Sequence, residues 1–358
     1  MKLPSNIGEL FSAALDIEKA KKTVVAVNLF IDECSSSDFQ VFVRSGFNSE
    51  SPNSRVMISY YPTQTPDVEA PCDIAIIVAG NSVESVALAA SLKSIEVPTL
   101  VVTEQRTELM QRAEDMGYSL DSENVIAPKE EHGFSEEGKE ELARAIGKWI
   151  VRVSPDKRLA FSIAYPFVRR PLSEEAVFAT AAQNAGVGLV VFVPGADMPI
   201  MTINQAKMVL QIAAAYGQPL GADRIKELAA TLGSAFVFRT VARQAVGLVP
   251  ALGWAIKATV GYAGTVAIGN TAIDYFENGG NMAGLASVVG KARDSVFGAV
   301  LALKKKPSLK NAAEMVSNKA YQFADTSLKQ TAPVVESAAK TVISSFKSGT
   351  CLLYTSDA

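Results

Sequence analysis

The sequence predicts an α/β domain on a doubly wound, mostly parallel sheet, followed by an all-α domain rich in small residues. Three observations carry this. Short β-branched apolar runs alternate with helix-spaced segments from Thr23 to Trp149. That alternation stops at a proline-bearing junction, SPDKRLAFSIAYPFVRRPL, Ser154 to Leu172. Beyond it the apolar spacing is almost wholly helical. A chain of 358 residues is long enough for two cores at roughly 150 residues per domain.

The elements follow in order. MKLPSNIGELFSAALDIEKAKK mixes Glu, Asp and Lys into a helical apolar stripe, without the unbroken apolar core of a signal peptide, and is expected to be a docking helix. TVVAVNLFID, SRVMISYY, CDIAIIVAG, VPTLVVTE and ENVIAP are short, β-branched and bounded by turn residues, which marks them as strands. SSSDFQVFVRSGF, SVESVALAASLKSI, RTELMQRAEDMGY and SEEGKEELARAIGKWI space their apolar residues as helices do. Strands and helices alternating at this length imply a parallel sheet covered on both faces, assigned to residues 1–155. The all-α domain is assigned to 159–303. In it, GLVVFV from Gly188 to Val193 is the one further strand candidate, and Thr202 of TINQ is expected to open a helix through a Thr-x-x-Gln capping box. Residues 304–350 form a lysine-rich, loosely amphipathic tail, expected to be solvated or disordered, with a membrane-surface helix as the alternative. CLLYTSDA, residues 351–358, resembles the translation of a transposon-type sequencing adapter and is expected not to belong to the natural chain.

Composition excludes several function classes. A formal charge of −3 supplies no field for nucleic acid, so no nucleic-acid partner is expected. The one histidine, His132, lies in the acidic stretch EEHGFSEEGKEE, which reads as a solvated loop; His-based triads and His-rich metal sites lack material. Cys34, Cys72 and Cys351 have neither metal-like spacing nor a pairing pattern, which fits a reducing cytoplasm. No metal and no cofactor is expected.

A P-loop needs glycine-exposed amides around phosphates, a Lys for charge and a Ser or Thr for magnesium. After the first strand the chain has ECSSSDFQVF, with no glycine or lysine, and a phosphate there would meet Asp32 and Glu33. The near-match in GFSEEGKE has Glu140 where the hydroxyl belongs and follows the fifth strand.

CDIAIIVAG, a helix and VPTLVVTEQRTE resemble the strand-helix-strand of a Ras-like GTPase that ends in the guanine-reading Asn-Lys-x-Asp. Thr103, Glu104, Gln105 and Arg106 stand at that place, and Ala127 and Pro128 stand near the place of the family's Ser-Ala-Lys motif. The resemblance implies a GTPase-type module stripped of its nucleotide motifs; an unrelated doubly wound domain is the alternative. YPFVRRP at Tyr165 to Pro171, PGADMP at Pro194 to Pro199, Gln205 and IAAAYG at Ile212 to Gly217 resemble the GTPase-associated helical domain of unknown function in bacterial YcjF-like membrane proteins. That family has no established activity and implies no catalytic residue.

Asp197 stands five residues before Thr202 and is expected to accept turn amides or to pair with Arg169 or Arg170, a structural role rather than a catalytic one. Gln205 and Lys207 are read as solvent or interface groups. Val246 to Ala272 carries a single charge, Lys257, and Gly253, Gly261 and Gly269 recur every eight residues. That stripe suits close helix packing. Insertion into a membrane is the alternative, opposed by Pro250, by Lys257 and by an uncharged run shorter than the ~20 residues a bilayer needs. The expected protein is a non-enzymatic, cytoplasmic accessory or regulatory module with no catalytic residue. It acts on a protein partner, a GTPase or a second copy, through a surface of the all-α domain that is apolar or lined by Arg169 and Arg170, and a location at or in the inner face of the cell membrane stays open. An atypical NTPase and a membrane-inserting helical protein are the alternatives.

Overall fold

In the computed structural model, which describes residues 7–49, 51–129, 132–190, 197–223, 225–226, 253–285 and 287, the five apolar runs form one sheet. Side chains 7, 188–190, 197–199, 253–261 and 263 are outside the description. The strands are β1 (Val25–Asp32), β2 (Ser54–Tyr61), β3 (Ile74–Ala79), β4 (Thr99–Thr103) and β5 (Val125–Ile126), in the order β2-β1-β3-β4-β5. Every neighbouring pair is parallel. The helices are α1 (Ile7–Ala20), α2 (Ser37–Gly46), α3 (Glu84–Ser94), α4 (Arg106–Asp115), α5 (Glu136–Val153), α6 (Arg158–Ala164), α7 (Arg169–Val190), α8 (Asp197–Ala215) and α9 (Gly253–Glu277).

Alternation along the strands sorts two cores. Val25, Val27, Leu29 and Ile31 of β1 join Ile76 and Val78 of β3 against Phe39 and Val43 of α2 and Leu142, Ile146 and Ile150 of α5. Phe30, Ala75 and Ile77 face the other way, onto Val86 and Leu92 of α3 and Leu109 of α4. Burial on both faces is why these strands read as continuous apolar runs rather than alternating ones. The loops contribute helix caps: the Ser36 hydroxyl accepts from the Phe39 amide at 3.3 Å, and that of Ser135 from the Gly138 amide at 3.2 Å.

The junction belongs to the sheet as much as to the helices. Ala160, Phe161, Ala164, Tyr165 and Val168 are buried in the core under β1 and α5. Tyr165 packs edge-on to Phe47 at 5.1 Å, and its hydroxyl shares a hydrogen bond with that of Ser54 at 2.8 Å. Gly147 of α5 lets this turn approach, since a Cβ there would stand 2.8 Å from the Phe167 carbonyl oxygen and 2.9 Å from Pro171 Cγ.

Two details of the helical region correct the sequence reading. Gly188 to Val190, the first half of the strand candidate GLVVFV, continue α7, and the second half lies outside the described residues. Thr202 does not open a helix, because α8 already begins at Asp197. Pro199 does not delay that start, since a first-turn N–H has no intrahelical partner to lose. The N-terminal helix docks as expected, but onto the helical layer: Leu10, Ala14 and Ile17 share a core with Ala206, Val209 and Ala213 of α8.

The contact of α7 with α9 is close. A Cβ on Gly269 would overlap the Val177 side chain. Around it, Asn184 donates to the Thr265 hydroxyl at 2.9 Å and Gln205 to the same oxygen at 3.1 Å, while Asn204 donates to the Asn184 side-chain oxygen at 2.9 Å. Gly269→Ala should therefore destabilise the protein by about 1–3 kcal/mol through overpacking. In chemical denaturation, Gly269→Ala combined with Val177→Ala should lose less than the sum of the two single changes.

Candidate functional site

The strand order places a switch point between β1 and β3. The chain leaves β1 toward β2 and leaves β3 toward β4, so the loops after β1 and β3 part in opposite directions. In open parallel sheets ligands bind in the crevice this creates, outside the carboxyl ends of the strands.

Here the crevice is filled by the chain itself. Asp32, the last residue of β1, is fully buried. One carboxylate oxygen accepts from the amides of Gly80 at 2.9 Å and Ser82 at 3.1 Å and from the Ser85 hydroxyl at 3.3 Å. The other accepts from the Cys34 amide at 2.8 Å. Converging amides of this kind make an anion site, and its anion is a side chain. The loops touch behind it: a Cβ on Gly80 would overlap the backbone of Cys34 and Ser35. Arg112 braces the second loop from outside, donating to the carbonyls of Gly80 at 3.3 Å and Ser82 at 3.2 Å.

The neighbouring groups are engaged in the same way. The Tyr61 hydroxyl donates to the Val78 carbonyl at 3.0 Å and lies 3.0 Å from the Ser85 hydroxyl; burial pushes this phenol's pKa well above its ordinary value. Glu33 turns away to Thr63, accepting from its amide at 3.1 Å and from its hydroxyl. Glu104 accepts from the Ser36 amide at 3.4 Å, and Arg106 donates to the Ser122 carbonyl at 2.8 Å. The Cys34 thiol at the rim is exposed, and the Asp32 charge beside it raises its pKa, which keeps it from being a ready nucleophile. His132 lies 3.1 Å from Glu141 through Nδ1, and hydrogen bonds from Lys129 and His132 hold the Glu141 carboxyl below its ordinary range. Among the described residues no group of three His, Cys, Asp or Glu is placed to hold a metal.

The residues singled out in the sequence lie elsewhere, around the helices. Arg170 is absorbed within the chain, 3.0 Å from Glu174, 2.5 Å from Glu277 and 3.9 Å from Asp274. Arg169, half-buried, donates through Nε to the Ser162 carbonyl at 3.3 Å, and among the described residues no carboxylate pairs with it. Burial lowers its pKa. Gln205 is buried against Thr265 rather than turned to solvent, and Lys207 pairs with Glu9 of α1 at 2.9 Å. Asp197 is the first residue of α8, and Gly253, Lys257 and Gly261 lie in the first half of α9. The side chains of Asp197 and Lys257 are outside the described residues, so the expected pairing of Asp197 with Arg169 or Arg170 is too. Of the glycine stripe, Gly269 has a described contact, with Val177. Sequence reasoning treated Asp32 as a charge facing the crevice and missed it as the group that fills it. The available signal was an acid ending an apolar strand, with small amide-rich loops, Cys34-Ser35-Ser36 and Gly80-Asn81-Ser82, after both switch-point strands.

Residues 168–302 match a family described as a domain of unknown function, DUF697. No curated protein and no solved structure matches the chain. Among the described residues no helix is long and apolar enough to cross a membrane.

Asp32→Ala should strand three amides and cost about 3–5 kcal/mol, in line with removal of one side of a buried charged network. Asp32→Asn, which keeps one acceptor oxygen, should fall between Ala and the parent in urea midpoint.

Proposed function

We propose that this protein is a non-enzymatic accessory or regulatory module: a GTPase-type α/β domain that has given up nucleotide chemistry, joined to a YcjF-like, GTPase-associated helical domain and acting through protein contacts. The observation that carries this reading is the occupancy of the switch point by Asp32. A nucleotide phosphate seeks the amides of Cys34, Gly80 and Ser82, and those amides already serve a carboxylate held within the fold. A phosphate entering would have to displace a buried, fully hydrogen-bonded anion of its own sign, which opposes binding through both repulsion and desolvation. Glu104 and Arg106, at the place of the guanine-reading residues, are likewise engaged with the chain.

Arg169 supports the partner-binding half of the proposal. A guanidinium that is half desolvated, with one carbonyl acceptor and no described carboxylate, gains most from an acidic group supplied by another protein. Packing of α9 through buried Thr265 and Gly269 favours a helix seated among helices over one seated in lipid.

Titration calorimetry of the full chain with GTP, GDP and ATP in the presence of magnesium is the direct test. We expect no saturable heat at nucleotide concentrations up to about 1 mM. Stoichiometric, magnesium-dependent binding would sink the proposal and return the protein to the NTPases.

A further inference from the structure

β2 is an edge of the sheet, and what that edge offers can be read group by group. The odd-numbered residues turn their backbone groups toward β1: the Val25 amide donates to the Asn53 carbonyl at 2.9 Å, and the Glu33 amide to the Tyr61 carbonyl at 2.8 Å. Ser54, Val56, Ile58 and Tyr60 therefore turn theirs outward. Two of these outward groups are satisfied locally, the Ser54 amide by the Ser51 carbonyl at 3.1 Å and the Tyr60 carbonyl by the Gln64 amide at 3.0 Å. Among the described residues nothing pairs with the Ser54 carbonyl, with either backbone group of Val56 and Ile58, or with the Tyr60 amide.

We infer that β2 is the interface of a homodimer, in which two copies pair antiparallel with Val56 of one opposite Ile58 of the other. In that register Val56 and Ile58 exchange both of their hydrogen bonds on each side of the two-fold axis, and at each end a Tyr60 amide meets a Ser54 carbonyl. The two groups already taken, the Ser54 amide and the Tyr60 carbonyl, fall opposite one another. Every open group on both copies is used. Placing Ile58 opposite Ile58 instead sets the Val56 amide against the occupied Tyr60 carbonyl and the Ser54 carbonyl against Pro62, which has no N–H. Any register offset by a single residue sets outward groups against inward ones and forms no ladder.

This match of the edge to itself is what singles out a second copy as the occupant, and the side chains agree. On the α2 face, Val56 meets Ile58, a favourable β-branched cross-strand pair. Ile58 is 40% exposed, although its neighbour on β1, Leu29, is fully buried. On the other face Met57 meets Met57 on the axis and Arg55 meets Ser59, which sets the two Arg55 residues about 14 Å apart along the strands; a parallel pairing would stack them. Within β2 the edge carries neither proline nor lysine, its ladder with β1 runs in unbroken register, and its one charge, Arg55, is bonded to the Pro71 carbonyl, so the guards against edge pairing are few. Val41 of α2, 55% exposed, lies one helical turn before Arg44, which bonds the Tyr60 hydroxyl at 3.1 Å. It therefore adds apolar surface on the same side of the molecule. None of this depends on whether the crevice at Asp32 binds nucleotide.

Sedimentation velocity of the full chain from about 1 to about 100 μM should show a dimer that dissociates on dilution. Ile58→Pro removes an outward amide that β1 does not use and should weaken the dimer at least about tenfold. Met57→Cys, in a chain with Cys34, Cys72 and Cys351 changed to Ser, should cross-link the dimer on mild oxidation, because opposed positions without mutual hydrogen bonds lie ~4.5 Å apart at Cα. Ser59→Cys in that background should not. A chain that remains monomeric throughout the range, a dimer untouched by Ile58→Pro, or a dimer in which Met57→Cys fails to cross-link overturns the proposal.

Discussion

A carboxylate with no exposed surface must find its hydrogen-bond donors inside the protein, and much of the α/β layer is arranged around that need of Asp32. The donors come from the two loops that part at the switch point, so satisfying one side chain fixes the path of both. Gly80 allows the loops to touch, Arg112 holds the second loop from behind, and Tyr61 carries the network across to β2 through Ser85. A crevice that this sheet order ordinarily leaves open to a ligand becomes part of the interior. The physics that lets amides bind a phosphate is retained; the anion is covalently attached.

The same economy of contacts joins the two layers. Tyr165, Phe161 and Val168 are core residues of the sheet, although the chain has already turned toward the helices. Lys157 fastens the turn to the sheet through Asp73 at 2.6 Å. In return the N-terminal helix packs on α8. The layers therefore interlock at both ends of the α/β segment, and a change at the junction should be felt by both cores.

Local patterns were legible wherever one element decided its own state. Five apolar runs became five strands and the four segments between and after them became helices, because their apolar spacing matches the burial each element receives. Reading failed where a neighbour decided. GLVVFV has the composition of a strand, but its first residues extend α7; β-branched content alone does not make a strand. The capping box at Thr202 failed because Pro199 is compatible with a first turn and the helix starts earlier. Arg169 and Arg170 are identical in sequence terms, yet only Arg170 faces Glu174 and Glu277.

By itself the sequence determined the succession of elements, the parallel character of the sheet and the absence of a phosphate-binding loop after the first strand. These are properties of spacing and residue type along the chain. Only the tertiary structure decided that Asp32 is the anion of its own amide site, that Gln205 belongs to a buried network and that the outward groups of β2 complement themselves. Each of these depends on which atoms from distant segments arrive within hydrogen-bonding distance or on which way a backbone group turns, and no local pattern encodes that.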